Sequence, residues 1–144
     1  MSNSKQSNSN IISLDTSILI RIITRGPYEQ ALAALNFLIK NDVIFHVSTL
    51  AISEAVYVLD TQYHYSRMQI IDGLNFFLTR FSDSAIYERY ITERAFPFFL
   101  EHPKLSFNDC CLAAYAEVNH AEPLFTFDKK LANQSPSAKL LEAT

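Results

Sequence analysis

The stretch Ile11-Ile12-Ser13-Leu14-Asp15-Thr16-Ser17-Ile18-Leu19-Ile20 changes character at a single acid. Its first four residues are short-run, β-branched and mostly apolar, the pattern of a strand buried on both faces. Asp15-Thr16-Ser17 then opens a helical segment, which leaves Asp15 at the carboxyl end of the strand. The same handover recurs down the chain. A second buried strand over 43–47 leads through Ser48 or Thr49 into a helix, and a third over 123–127 ends at Asp128. Between them, periodicity predicts a helix over 28–40, with Pro27 at its start and Ala31, Leu32, Leu35, Leu38 and Ile39 on one side. Further helices are expected over 66–81 and 106–119, a short edge strand and a helix within 84–100, and a last strand over 138–141. Strands alternating with helices predict an α/β fold with a mainly parallel sheet covered on both faces.

With 144 residues and 49% hydrophobic content, the chain is long enough to bury a core without disulfide or zinc staples. Residues 1–10 are Ser/Asn-rich and read as a disordered leader, and 11–144 as a single domain. The formal net charge of −3 gives no global basic field, so a nucleic-acid partner needs a local basic patch. Cys110 and Cys111 are adjacent and lack zinc-ligand spacing, so they read as reduced core thiols of a cytoplasmic protein. No apolar run approaches the roughly 20 residues of a membrane span, and the N-terminus lacks the hydrophobic region of a signal peptide. Gly26 and Gly73 are the only glycines, too few for a Walker loop or a dinucleotide fingerprint.

Four carboxylates stand alone in uncharged, largely apolar segments: Asp15, Glu54, Asp109 and Asp128. An ionised carboxylate in a water-poor setting must be paired, protonated, at a surface edge or bound to a cation. Asp15, Asp109 and Asp128 each stand near a helix start, where capping is the simpler explanation. Glu54 lies in the helix after strand two, between the stripe Ile52, Ala55, Val56, Leu59 and a second one containing Leu50, Tyr57 and Val58. Ligands of open α/β sheets collect at the carboxyl ends of strands, and the predicted order brings all four acids to one such edge. Clustered carboxylates repel unless a cation joins them, and an all-oxygen donor set suits Mg²⁺ or Mn²⁺. The histidines His46, His64, His102 and His120 are scattered and read as ordinary polar residues.

These residues resemble a PIN domain, and specifically the VapC-type toxins of prokaryotic toxin–antitoxin pairs. The matching elements are the strand ending in Asp15-Thr16-Ser17, Ser53-Glu54, Leu105-Ser106-Phe107-Asn108-Asp109 with the alanines that follow, and Phe125-Thr126-Phe127-Asp128-Lys129-Lys130-Leu131. The resemblance implies a three-layer α/β/α sandwich and a Mg²⁺- or Mn²⁺-dependent endoribonuclease. Asp15, Glu54, Asp109 and Asp128 become its catalytic and metal-binding acids. Thr126, two residues before Asp128, would orient a carboxylate or water, and Thr16 and Ser17 would do likewise or serve the helix start. Lys129 and Lys130 would hold RNA phosphates, or are simply solvated. Arg21 and Arg25 would line the same crevice or be covered by an antitoxin.

Aromatic residues at Phe76-Phe77, Phe96-Pro97-Phe98-Phe99, Tyr57, Tyr63 and Tyr65 cannot all face inward, because adjacent helical side chains point about 100° apart. An exposed remainder suits a homodimer face or a groove for an antitoxin helix. Two rival readings carry weight. A haloacid-dehalogenase-like phosphatase wants a second Asp where Ser17 stands, and a receiver domain wants adjacent acids that are missing here. The other rival is a non-catalytic PIN-like module that binds RNA or protein.

Overall fold

Among the described residues, the short strands pair in parallel. In the computed structural model, which describes residues 11–142, β1 (Ile11–Ser13), β2 (Ile44–Val47) and β3 (Ala85–Tyr87) form a sheet ordered β1-β2-β3. Ile11 pairs with Ile44, and Phe45 with Ala85. A second parallel sheet joins β4 (Leu124–Thr126) to β5 (Ala138–Leu140). The helices are α1 (Thr16–Thr24), α2 (Tyr28–Lys40), α3 (Thr49–Thr61), α4 (Arg67–Arg80), α5 (Arg89–Glu101), α6 (Phe107–Val118) and α7 (Lys129–Gln134). This is the α/β class with parallel strand pairing that the alternation predicts, with the strands in two sheets where one was expected. The expected leader at 1–10 lies outside the described residues, among which no helix is long and apolar enough to cross a membrane.

The chain divides into two compact units. One takes in the chain up to His64 together with Asp72–Tyr87, and the other holds Tyr65–Ile71 and the chain from Glu88 onward. In the first, Phe45 of β2 is fully buried against Phe77 and Phe81, with ring centroids 6.2 and 5.7 Å away. Fully burying side chains of this size contributes on the order of 1.5–3 kcal/mol each. Ser48 caps α3 by accepting the Ala51 amide at 3.0 Å, and Ile52, Ala55, Val56 and Leu59 fill the core as their spacing requires. Gly73 of α4 lies so close to α1 that a Cβ there would stand 2.8 Å from Ile23 Cγ2.

Two burial expectations are corrected. Strand β1 is not buried on both faces: Ile11 is 61% exposed, because β1 is the edge of its three-stranded sheet. The second apolar stripe of α3 faces solvent, with Leu50 79% and Tyr57 67% exposed, so Glu54 borders one buried face rather than two. The helix packs on α1 and buries the stripe of Ile52, Ala55, Val56 and Leu59, while Leu50 and Tyr57 stay in water.

In the second unit α5 and α6 pack together through Phe96, Phe99 and Phe107, whose rings meet at 5.8 and 5.4 Å. Arg94 of α5 pairs with Glu117 of α6 at 3.0 Å, and the Tyr115 hydroxyl donates to Glu88 at 2.6 Å. The adjacent aromatics divide as helical geometry demands. Phe77 is buried while Phe76 is exposed, and Phe96 and Phe99 are buried while Phe98 is partly covered by His102.

Candidate active site

Asp15 follows β1 and takes the N-cap position of α1 in an extended backbone conformation. Its carboxylate completes no cap bond to a helix amide; instead it accepts the Ser17 hydroxyl at 2.8 Å. That bond, aided by the nearby Ser17 and Thr16 amides, holds the Asp15 carboxyl below its ordinary value. Asp15 is therefore a solvent-reached carboxylate kept ionised by its own turn.

The neighbouring Thr16 is buried, and its hydroxyl reaches α3. Thr16 Oγ1 lies 3.1 Å from Glu54 Oε2 and 3.3 Å from the Ala51 carbonyl. A hydroxyl has one proton, so these two acceptors share or alternate for it. Glu54 thus has a partner that its own segment does not contain, and its carboxylate is exposed rather than buried. Thr16 contributes this bond as a buried anchor between α1 and α3. Local sequence carries no sign of that link.

In the second unit, Asp109 and Asp128 do serve as caps. Ser106 and Asp109 close a reciprocal box: Ser106 Oγ accepts the Asp109 amide at 3.2 Å, and Asp109 Oδ2 accepts the Ser106 amide at 3.4 Å. The Ser106-x-x-Asp109 spacing is itself a legible signal for this box. Asp128 Oδ1 accepts the amides of Lys130 at 2.8 Å and Leu131 at 3.3 Å, which starts α7. Thr126 Oγ1 accepts the Asp128 amide at 2.9 Å, so this hydroxyl holds the backbone of the acid. Each cap uses one carboxylate oxygen, leaving the other outside the cap. Lys129 and Lys130 extend from the exposed first turn of α7 beside Asp128.

All four acids are within reach of water, Asp109 partly and the others fully, although the segments around them are largely apolar. In one unit Thr16, the residue after Asp15, bonds Glu54, and in the other the Asp128 amide is held by Thr126. Among the described residues, no three Asp, Glu, His or Cys side chains within either unit are grouped closely enough to hold a metal ion. The donors that could contribute to one are carboxylate and hydroxyl oxygens. Cys110 and Cys111 are free, but burial pushes both thiols up to about 12, so they stay protonated and apolar. The chemistry of the accessible donors therefore fits a hard, oxygen-preferring divalent ion.

Arg21 is engaged by Gln30 at 2.6 Å. Arg25 ends α1 in a left-handed conformation and lines an apolar cleft of about 310 Å³ with Tyr28, Leu32, Phe76 and Arg80, all within the first unit.

Residues 12–135 match the family model described as PIN domain. No curated protein matches the chain.

Proposed function

The chain belongs to the PIN domain family, whose members generally act as nucleases, and from this premise we propose that it is a metal-dependent endoribonuclease. The observation that carries the reading is the Thr16–Glu54 bond. It ties the residue after Asp15 to a second carboxylate, and it supports a shared role for two acids whose side chains complete no helix cap. The acids proposed to carry the reaction are Asp15, Glu54, Asp109 and Asp128. Asp15 and Asp109 would be the principal ligands of Mg²⁺ or Mn²⁺. When bound, such an ion supplies charge relief at the phosphate and lowers the pKa of water. Asp128 and Glu54 would bind through water, hold a second ion, or take the proton of the attacking water. Glu54 suits the last role because it is exposed and oriented by a hydroxyl. Thr126 holds Asp128 in place, Ser17 keeps Asp15 ionised, and Lys129 and Lys130 would contact RNA phosphates. Water attack in line with the leaving oxygen would yield a 5′-phosphate and a 3′-hydroxyl.

Within this proposal the protein is a toxin neutralised by a cognate antitoxin. The apolar cleft rimmed by Arg25 and Arg80 supports a helical partner of that kind, and the exposed aromatics support a homodimer. The test is cleavage of RNA by the purified protein with Mn²⁺, with EDTA, and in the Asp15→Asn and Asp109→Asn variants, with product ends mapped. Cleavage that survives EDTA, or is unchanged in both variants, sinks the proposal. A second reading, a non-catalytic binding module, draws on the cap roles of Asp109 and Asp128, which give both acids a purely structural use. RNA binding without cleavage at any divalent-ion concentration would favour it.

A further inference from the structure

Pro103 leaves a gap in the hydrogen bonding at the end of α5. The Phe99 carbonyl lies in the helix's last turn, and the residue four positions on is Pro103, which has no N–H to donate. Arg67, 32 positions earlier, fills that gap. One of its terminal nitrogens donates to the carbonyls of Phe99 at 2.8 Å and His102 at 3.2 Å. The other donates to Pro103 at 2.9 Å and Leu105 at 2.7 Å. The guanidinium also lies 3.9 Å from the centroid of the Phe99 ring. Its own backbone is held by a reciprocal cap: Gln69 Oε1 accepts the Ser66 amide at 2.8 Å, and Ser66 Oγ accepts the Gln69 amide at 3.1 Å.

The last carbonyl in the clasp, that of Leu105, belongs to the residue before Ser106, the N-cap of α6. Ser106 in turn is locked to Asp109 by their reciprocal box. Phe107, on the far side of Ser106, packs edge-on against the Phe99 ring that Arg67 covers. The turn is thus fastened on both sides of Ser106 to one cation and one ring.

We propose that Arg67 is a positioning residue for Asp109, setting the place and direction of the first turn of α6 through four backbone carbonyls between residues 99 and 105. The inference rests on the reading of Asp109 as a site acid. A guanidinium can serve four carbonyls because its donors form a rigid planar fork. A lysine ammonium in the same place is a point charge that cannot span them.

The test compares full-length wild type with Arg67→Lys and Asp109→Asn. Amide hydrogen exchange on the metal-free proteins is read alongside the Mn²⁺ dissociation constant and the RNA cleavage parameters. Arg67→Lys should speed exchange at the Asp109 and Cys110 amides, while the Ala51 and Ile52 amides of α3 keep their wild-type rates. Its Mn²⁺ dissociation constant should rise about 10- to 100-fold, and kcat should fall with KM for RNA kept. If Arg67→Lys fails to fold, the double variant Arg67→Lys/Pro103→Ala replaces it. Its new N–H at 103 serves the Phe99 carbonyl but cannot restore the clasp, so the same changes are expected. A folded variant with wild-type exchange at Asp109 and Cys110, or with exchange raised equally in α3, overturns the inference. Wild-type cleavage or Mn²⁺ affinity in Asp109→Asn identifies the nuclease reading as the part that fails. The exchange measurement needs neither metal nor RNA and still decides whether Arg67 orders this turn.

Discussion

Thr16 and Glu54, 38 positions apart, are joined by a hydrogen bond of 3.1 Å between a buried hydroxyl and an exposed carboxylate. The bond crosses from the first residue of α1 to the second turn of α3, and so connects the ends of two neighbouring parallel strands.

Removing that hydroxyl should separate orientation from stability. Thr16→Val keeps the buried shape, and the exposed Glu54 carboxylate can exchange its lost donor for water. We expect a stability loss of about 0.5–1.5 kcal/mol, and a fall in RNA cleavage of about tenfold or more. Thr16→Ser should recover most of the activity. Thermal melts and initial rates on one RNA check both; cleavage by Thr16→Val at the wild-type rate would show that Glu54 needs no such anchor.

The Asp15 carboxyl titrates below its ordinary value of 3.8, chiefly because Ser17 donates to it. A depressed folded-state pKa contributes stability that is present above the unfolded value and is lost as pH falls through the folded one. Ser17→Ala should therefore move the Asp15 titration upward toward 3.8, so that its carboxylate protonates at a higher pH than in wild type. Carboxyl-carbon NMR titration of both proteins reads the shift directly, and an unchanged midpoint would remove Ser17 as the cause.

Asp128 can be tested as a cap and as an acid separately. Asn retains a side-chain oxygen for the Lys130 and Leu131 amides, whereas Ala does not. Asp128→Ala should cost about 0.5–2 kcal/mol. Asp128→Asn should melt within about 0.5 kcal/mol of wild type and still lose most RNA cleavage. Full activity in the Asn variant would assign Asp128 to structure alone.

Gly73→Ala gains helix propensity of roughly 1 kcal/mol, but it places a Cβ 2.8 Å from the stiff, β-branched Ile23. The clash should win, leaving the variant less stable than wild type. In an Ile23→Ala background the same change should be neutral or stabilising. Denaturant titration of the four proteins gives the coupling, and additive effects would mean that α4 and α1 separate without cost.

Several elements were legible because their signals are local. Pro27 followed by a 3.6-residue apolar period marks α2 at its observed limits, Tyr28–Lys40. Ser106-x-x-Asp109 carries the start of α6, and the polar turn after each apolar run places Asp15 and Asp128 at strand ends. The exposure of Ile11, Leu50 and Tyr57 was not legible, since an apolar side chain does not say whether a neighbour arrives to cover it.

By itself, the sequence determined the α/β alternation, the family and the identity of the four acids, all of which rest on residue type, order and short-range spacing. Asp15, Asp109 and Asp128 find partners within three residues of themselves, at Ser17, at Ser106 and at Lys130 and Leu131; tertiary structure alone decided the partner of Glu54 and of the turn before Asp109. Thr16 meets Glu54 across 38 residues, and Arg67 meets the carbonyls of 99–105 across as many as 38. The physical reason is that a hydrogen bond depends on atomic separation and direction, and chain spacing encodes these only within a helix turn or along a single strand.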